Sequence, residues 1–379
     1  MKYLYFNDKM EYPKAVKIEN IIYCSGITGF DPDTGEHLTG DFKLRLEQCF
    51  SNLNNLLKQL NRSLSDVVVL RVYLRNIRHI EQLNEQTAAY FKEGSMPVRT
   101  VMEVNRLFDD QDVELEAIVY DGPNLPVFNQ LKGNYYSNSV ELDNDLVFLS
   151  GEVSTKNSNN RSELTLESEI TAAMDGINKA IVACGLDMKD LFSCYVSVSN
   201  MLDRATINEV YKKYFISDYP IRVFIEPRRL PDNKRIMIEC IASRKNRELL
   251  STTKGMKPTG PFSQGYKIGN HIYCSGVRAV NPVIGRLCKG DFNARVMQCI
   301  ENLTRILEEG SASIEDVYSC KLYLRNLEQF QIVHNIFKKL FKSNLPVLTA
   351  IEICRLNEDY EKGWEPYHDI EVQFNAYKK

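Results

Sequence analysis

The sequence has no long apolar run, only one tryptophan and no excess of positive charge. No segment approaches the ~18 consecutive apolar residues that a membrane helix needs, so we predict no contact with a membrane. Lysine and arginine number 47 against 50 aspartates and glutamates, and the formal net charge is −3. A chain without a broad basic field is not predicted to bind nucleic acid.

Metal and redox motifs are also missing from the sequence. The five histidines are scattered, none pairs with cysteine at the spacing of a zinc site, and no C-x-x-C pattern occurs. Residues 1–14 include Lys, Asp and Glu in place of the apolar core of a secretory signal, so a cytoplasmic location is expected. The ten cysteines are therefore predicted to be reduced and buried.

The chain repeats itself with a period of 125 residues. A β-branched, apolar run ends in Ser-Gly at Gly26, Gly151 and Gly276. A second marker, an acidic residue and an asparagine at the two ends of a β-rich run, also occurs three times: Asp66/Asn76, Asp190/Asn200 and Asp316/Asn326. At a typical ~150 residues per domain, the length allows two to three domains. The repeats predict three, over residues 1–124, 125–249 and 250–379.

Each repeat has the pattern of an α+β domain. In repeat 1, apolar residues recur three or four positions apart from Leu46 to Leu60 and predict a helix over residues 41–60. A second helix is predicted over 80–92 and strands over 67–74, 98–104 and 113–119. This order predicts a mixed sheet with helices on one face.

The motifs of the repeats resemble the Rid family, also called YjgF/YER057c/UK114. Repeat 3 has Gly260-Pro-Phe-Ser-Gln-Gly265 before its Ser-Gly pair, and repeat 1 has Met96-Pro-Val-Arg99-Thr before Val113-Glu-Leu-Glu-Ala-Ile118. The resemblance covers the whole chain and implies three chorismate-mutase-like domains. Family members are usually homotrimers with a ligand cleft at each subunit interface. The resemblance therefore implies one chain folded as a monomeric pseudo-trimer, with a dimer of such chains as the alternative.

The resemblance also implies an activity. Family members hydrolyse 2-aminoacrylate-like enamines and 2-imino acids to 2-keto acids and ammonia, without a metal or an organic cofactor. A guanidinium suits this substrate because its planar fork pairs with both carboxylate oxygens. A carboxylate beside the substrate can orient water and relay protons. The expected partner is a small imine or enamine that carries a carboxylate.

Carried over residue by residue, the resemblance places the principal site in repeat 1. Arg99 matches the arginine that binds the substrate carboxylate, and Glu114 matches the glutamate that orients water. Substrate-binding positions of the same repeat are Tyr12, Ser25, Gly26 and Asn84.

Repeat 2 departs from the family pattern at the glutamate position and at the cleft tyrosine, which is Ser137 here. It keeps Arg222 and Asn208 as substrate-binding candidates, but Met237 stands at the glutamate position. A thioether accepts hydrogen bonds only weakly, so it cannot orient a water molecule in place of a carboxylate. This repeat is predicted to bind an anion without hydrolysing it.

Repeat 3 departs from the pattern more strongly. It contributes Phe262 as a candidate, but Leu348 replaces the arginine and His334 replaces the asparagine. Glu371 matches the glutamate across an inserted segment, about residues 357–368, that contains the single tryptophan. Because family clefts lie between subunits, the sequence leaves open which repeat completes the site around Arg99 and Glu114.

Two other functions stay open because two sites are degraded. One is a non-catalytic scaffold that binds a small carboxylate or a protein partner. The other is a pathway enzyme that acts on a chorismate-like substrate on the same fold. Three glutamates, each followed three residues later by an arginine, persist even where the ligand arginine is lost, so we predict that they are structural: Glu103, Glu226 and Glu352.

Overall fold

The computed structural model describes residues 1–5, 11–32, 34–38, 40–143, 145–153, 165–342, 344–356 and 368–379. Within them the chain forms three similar α+β units, so the predicted fold class is confirmed. The inserted segment predicted over 357–368 lies outside the described residues except for His368.

The elements of repeat 1 match the periodicity of its sequence to within a few residues. Its strands are β1 (Lys2–Leu4), β2 (Ala15–Ile18), β3 (Ile21–Cys24), β4 (Ile27–Thr28), β5 (Val67–Leu74), β6 (Val98–Glu103) and β7 (Val113–Tyr120). Its helices are α1 (Phe42–Gln59) and α2 (Ile80–Tyr90).

Repeats 2 and 3 follow the same order. Repeat 2 contains β8 (Val127–Asn129), β9 (Ser139–Leu142), β10 (Leu146–Val153), α3 (Leu166–Ala183), β11 (Leu191–Val198), α4 (Arg204–Tyr211), β12 (Ile221–Glu226) and β13 (Ile236–Ser243). The third sheet begins with β14 (Glu248–Leu250), followed by β15 (Gly265–Ile268), β16 (His271–Cys274), β17 (Val277–Arg278), β18 (Val280–Asn281), β19 (Arg286–Leu287), α5 (Phe292–Glu309), β20 (Val317–Leu324), α6 (Phe330–Leu340), β21 (Val347–Glu352), β22 (Arg355–Leu356) and β23 (Ile370–Tyr377).

The acidic residue and the asparagine of the second sequence marker form turns at the two ends of a central strand. Asp66 accepts a hydrogen bond from the Ser63 N–H at 2.8 Å before β5. Asn76 accepts one from the Arg78 N–H at 3.1 Å after it. The other two repeats make the same contacts. Short polar side chains are favoured at such positions because they satisfy backbone donors that have no partner in the strand or helix.

Each sheet ends in a parallel pair of strands. The strand order is β1-β2-β3-β7-β5-β6 in repeat 1, and β6 runs parallel to β5 at the edge. The corresponding edge strands are β12 and β21, although β22 of repeat 3 adds to β12. Every residue of β5 and β7 is buried, because one face packs on the helices and the other faces the remaining repeats.

Charged side chains meet where the three sheets face each other. Arg71 of repeat 1 donates to Glu239 of repeat 2 at 2.9 Å and also pairs with Glu116. Lys321 of repeat 3 lies 3.0 Å from Glu116. The ring of Tyr195 in repeat 2 packs against both cations. These buried groups differ between repeats, and each cation is matched to an acid that a particular neighbour supplies.

The three glutamates predicted to be structural connect neighbouring repeats. The carboxylate of Glu103 lies 3.1 Å from Arg228 of repeat 2 and accepts the Ile77 N–H at 2.9 Å. The Glu352 N–H of repeat 3 donates to the Arg106 carbonyl of repeat 1 at 3.1 Å. The glutamates therefore make contacts between repeats.

The cysteines agree with the prediction made from the sequence. All ten are free, and nine are buried. In the described part of the chain, no helix is long and apolar enough to cross a bilayer.

Candidate active site

Three clefts form where the edge strand of one repeat meets the Ser-Gly turn of the next. Arg99 N–H donates to Ser150 Oγ of repeat 2 at 2.8 Å, and Arg222 N–H donates to Ser275 Oγ of repeat 3 at the same distance. Leu348 N–H closes the ring by donating to Ser25 Oγ of repeat 1 at 2.9 Å. The predicted pseudo-trimer arrangement is thus present in the chain.

We name the clefts by the repeats that form them. Cleft A lies between repeats 1 and 2 and contains Arg99, Asn84, Tyr136, Ser150 and Met237. Cleft B lies between repeats 2 and 3 and contains Arg222, Asn208, Phe262, Ser275, Gly276 and Glu371. Cleft C lies between repeats 3 and 1 and contains Leu348, His334, Tyr12, Ser25, Gly26 and Glu114.

Cleft B holds a buried arginine in an aromatic setting. The guanidinium carbon of Arg222 lies 5.4, 5.1 and 5.2 Å from the ring centres of Tyr211, Phe224 and Phe262. Its Nη1 donates to Asn208 Oδ1 at 2.9 Å, whereas Nε has no partner among the described residues. Burial lowers the pKa of Arg222 to about 10, which leaves the guanidinium charged at neutral pH. The side chain is held in place and retains donors for an anion.

A carboxylate from repeat 3 faces the same cleft. Glu371 is 3% exposed and lies against the Gly276 turn, where any side chain at position 276 would collide with its carboxylate. The backbone N–H of Phe224, two residues beyond Arg222, favours the charged form of Glu371 and so lowers its pKa. Burial raises the pKa of Glu371 to about 7, although Arg278 and Arg222 oppose the shift. A carboxyl group that titrates near neutrality is suited to accept and return a proton.

Cleft A contains the arginine without the carboxylate. Arg99 is 7% exposed, its Nη2 donates to Asn84 at 2.7 Å, and its guanidinium carbon lies 5.4 Å from the Tyr136 ring centre. Burial lowers its pKa to about 10. The side chain of Met237 lies against the Gly151 turn in the place that Glu371 occupies in cleft B. Cleft A therefore offers a guanidinium to an anion, but a methionine stands at the position that Glu371 occupies in cleft B.

Cleft C contains the carboxylate without the arginine. Leu348 is at the arginine position, and its neighbour across the interface is the turn of Ser25 and Gly26. Glu114 packs on Gly26, and burial raises its pKa to about 8, with Lys14 opposing the shift. A leucine side chain offers no hydrogen-bond donor, so cleft C has no guanidinium at the position that Arg222 occupies in cleft B.

Side chains from two repeats also meet across cleft C. The Tyr12 hydroxyl is 3.2 Å from His334 Nδ1, and the Tyr12 ring packs against Phe330. Glu11 pairs with His334 and accepts a hydrogen bond from Lys338 at 2.5 Å. These contacts fasten the N-terminal repeat to helix α6 of the third.

The structure separates the two residues that the sequence assigned to one principal site. Arg99 faces cleft A, whereas Glu114 faces cleft C, so the predicted pairing of Arg99 with Glu114 is corrected. The reason is topological: Arg99 lies on edge strand β6, Glu114 lies on β7, and β5 runs between them. Each repeat therefore supplies its arginine to one interface and its glutamate to the other.

The remaining candidates divide among the clefts. Asn84 accompanies Arg99 in cleft A; Tyr12, Ser25 and Gly26 belong to cleft C; and Arg222, Asn208 and Phe262 meet in cleft B. Glu371, which matches Glu114 only across the inserted segment at about residues 357–368, was the sequence signal for the carboxylate of cleft B. Tyr211 was not predicted, because no motif marks an aromatic ring that reaches an arginine from a helix.

Comparison with known proteins agrees with this repeat architecture. A family model described as Endoribonuclease L-PSP matches the chain three times, over residues 6–121, 130–244 and 252–362. The chain belongs to this family, the Rid family. The predicted resemblance is thereby confirmed.

Individual relatives of this Rid chain each correspond to about one repeat. A RutC family protein from Pyrococcus abyssi is 35% identical over 133 residues, which is 35% of this chain and 98% of that protein. A 2-iminobutanoate/2-iminopropanoate deaminase from Mus musculus is 34% identical over 112 residues, 30% of this chain and 82% of that protein. The crystal structure of RidA from a Psychrobacter bacterium is 25% identical over 34% of this chain and 98% of its own, with a TM-score of 0.31.

Proposed function

We propose that this Rid protein is an enamine and imine deaminase that converts small 2-imino acids to 2-keto acids and ammonia in cleft B. The observation that carries the proposal is the meeting of Arg222 and Glu371 at one interface, beside the Gly276 turn. The relatives named 2-iminobutanoate/2-iminopropanoate deaminase support this reaction class.

Substrate binding begins at the guanidinium of Arg222. The substrate carboxylate accepts charge-assisted hydrogen bonds from Arg222, which is oriented by Asn208. The ring of Phe262 covers the guanidinium and limits its access to water. Exclusion of water strengthens the attraction between the guanidinium and the carboxylate. Small 2-imino acids are thus held with the reacting carbon near Glu371.

Hydrolysis then uses Glu371 as the proton acceptor. An enamine first gains a proton at carbon 3 and loses one from nitrogen, which gives the imine. The oxygen of a water molecule bonds to carbon 2 while Glu371 takes a proton from the water and passes it to nitrogen. The new hydroxyl then gives its proton, by way of Glu371, to the amino nitrogen. The carbon–nitrogen bond breaks, and the 2-keto acid and ammonia leave.

The same reasoning assigns different tasks to the other two clefts. Cleft A binds a carboxylate at Arg99 without hydrolysis, because Met237 cannot accept the proton from water. In cleft C, Leu348 cannot hold the substrate, so Glu114 takes no part in turnover. The sequence predicted one catalytic cleft, and we still propose one. Its residues are Arg222 and Glu371 in place of Arg99 and Glu114.

Matched variants of clefts A and B test the proposal. Imines are produced in situ by an amino-acid oxidase, and the rate of ammonia release above the spontaneous rate is measured. R222A and E371Q are each expected to lose at least 100-fold in kcat/KM, roughly 2.7 kcal/mol or more. R99A, which removes the equivalent guanidinium of cleft A, is expected to retain most of the turnover. Loss of turnover in R99A with full activity in R222A would contradict the assignment.

A non-catalytic carboxylate-binding scaffold is the second candidate, favoured by the two incomplete clefts. It predicts that 2-keto acids bind to the wild-type protein, as measured by calorimetry, while imine hydrolysis stays at the spontaneous rate. The third candidate function is a pathway enzyme on the same fold. It predicts turnover of a chorismate-like compound, which a substrate screen that includes chorismate would detect.

A further inference from the structure

Cleft B contains a second buried guanidinium, at a position that holds an uncharged residue in repeats 1 and 2. Arg278 is 3% exposed and stands opposite Glu371 in the antiparallel register of β17 and β23. The residue two positions after the Ser-Gly glycine is Thr28 in repeat 1 and Val153 in repeat 2. Cleft B, which combines Arg222 with Glu371, therefore also contains the positive charge of Arg278.

Arg278 and Arg222 approach one loop from two sides. Arg278 Nη2 donates to Thr259 Oγ1 at 2.9 Å. The next residue, Gly260, has no side chain, and a Cβ there would lie 2.8 Å from Arg222 Nη2. The two guanidiniums thus lie beside consecutive residues, Thr259 and Gly260, near the start of repeat 3.

Glu371 lies between the two arginines. Its Oε2 is 3.9 Å from Arg278 Nε, and its other oxygen, Oε1, has no hydrogen-bond partner among the described residues. Arg278 and Arg222 both lower the pKa of Glu371, and Arg278 lowers that of Arg222. The three groups are therefore close enough to interact, and one carboxylate is shared by two buried cations.

Other basic side chains lie near Arg278. Arg204 Nη2 donates to Thr259 Oγ1 at 3.0 Å. His368 is 8% exposed, and burial and then the nearby cations Arg278, Arg295 and Arg204 hold its pKa well below the usual range. Its Nδ1 has no partner in the described part of the chain. This side of the cleft is a positive, polar surface, unlike the aromatic side formed by Phe262 and Tyr211.

Two guanidiniums on either side of the reacting position match a ligand with two anionic groups. If the α-carboxylate binds Arg222, a carboxylate on the substrate side chain can bind Arg278 while carbon 2 stays beside Glu371. A substrate with an apolar side chain would instead leave that chain against the guanidinium of Arg278 and the imidazole of His368. Packing an apolar side chain against charged and polar groups costs binding free energy, whereas a second carboxylate is attracted to the guanidinium, so the second anion is selected.

We propose that cleft B prefers 2-imino acids with a side-chain carboxylate, and that Arg278 determines this specificity. The proposal rests on imine hydrolysis in cleft B. It makes Arg278 a substrate-binding residue and gives the site a substrate class, the imino dicarboxylates.

The test compares the imines of aspartate and alanine, each produced in situ by an amino-acid oxidase. The wild-type protein is expected to show at least a tenfold higher kcat/KM for the aspartate imine. In R278T, which introduces the residue of repeat 1, the ratio of the two kcat/KM values is expected to fall at least tenfold. R305T, at an exposed arginine of α5 far from the site motifs, is the matched control and should keep the wild-type ratio.

Binding of products gives a second readout that does not need turnover. By calorimetry, the 2-keto acid of aspartate should bind the wild-type protein more tightly than pyruvate, and R278K should lose part of this difference because an ammonium lacks the planar fork. Equal treatment of both imines by the wild-type protein, or an unchanged ratio in a folded R278T or R278K, would overturn the proposal while leaving imine hydrolysis intact. No hydrolysis of either imine would instead overturn the proposed function.

Discussion

Gly276 of repeat 3 donates its N–H to the carbonyl of Arg222 in repeat 2 at 3.1 Å, and the carboxylate of Glu371 packs on that same glycine. Neither repeat contains both groups in one cleft by itself. The arginine lies on an edge strand, and the glutamate lies on a central strand that faces the preceding repeat. A complete pair therefore depends on which repeats are neighbours.

Restoring the missing carboxylate of cleft A should create a second active cleft. In the inactive R222A background, M237E is expected to recover at least tenfold in imine hydrolysis, because Arg99 already offers an anion site and position 237 lies against the Gly151 turn. M237Q in the same background is the control, since an amide cannot accept the proton from water. Equal rates for M237E and M237Q, in variants that unfold at the same temperature as R222A, would refute the explanation for the inactivity of cleft A.

The pH dependence of turnover should report the carboxyl group of Glu371. Its pKa is raised to about 7, and only the carboxylate accepts a proton from water, so kcat/KM should rise with pH to a plateau above about 7. In R278T this rise should move to higher pH, because Arg278 lowers the pKa of Glu371. An identical pH profile in R278T and in the control R305T would argue against the interaction of Arg278 with Glu371.

The buried carboxyl of Glu114 should make the stability of the protein depend on pH. Its pKa is raised from the ordinary value to about 8, so the native state holds a proton that the unfolded chain releases. The stabilisation is complete below about pH 4.5 and is lost as the pH rises toward 8, by up to roughly 1.4 kcal/mol per pH unit.

Chemical denaturation of E114Q from pH 4.5 to 8.5 tests this expectation. In E114Q the free energy of unfolding should fall less steeply with pH than in the wild-type protein. The remaining decrease should end near pH 7, where Glu371 titrates. E301Q, at an exposed carboxylate of α5, serves as the control. A wild-type stability that is constant over this range would disagree with a protonated Glu114.

Removal of a central cation should be far more damaging than removal of a surface one. R71M leaves Glu239 and Glu116 buried with fewer cationic partners, and we expect a loss of about 3–5 kcal/mol in the free energy of unfolding. R305M breaks only exposed helix pairs and should cost less than ~1 kcal/mol. Denaturant titration at pH 7 measures both, and losses of similar size would mean that the central network contributes little.

The sequence predicted the elements and the ring of repeats because both depend on local patterns. Strand β5 falls on its predicted range, and the helix predicted over 41–60 is observed as Phe42–Gln59. The partners within each cleft could not be derived in the same way. Arg99 and Glu114 share a repeat and a motif, yet the strand between them directs the two side chains to different interfaces.

The role of Arg278 could not be predicted from the sequence either. This residue lies beside the Ser-Gly turn, but its importance depends on its register with Glu371 and on the loop at Thr259. These are contacts between segments far apart in the chain, and no spacing rule within one motif contains them.

Because the repeats contact each other in a ring, the number of complete arginine–glutamate pairs depends on the order in which the repeats are joined. In the order observed, two arginines and two glutamates over three clefts produce a single complete pair. If the same repeats were joined in the sequence one, three, two and closed the same ring, Arg99 would meet Glu371 and Arg222 would meet Glu114. The number of complete arginine–glutamate pairs, one instead of two, then depends on the order of the repeats as much as on their side chains.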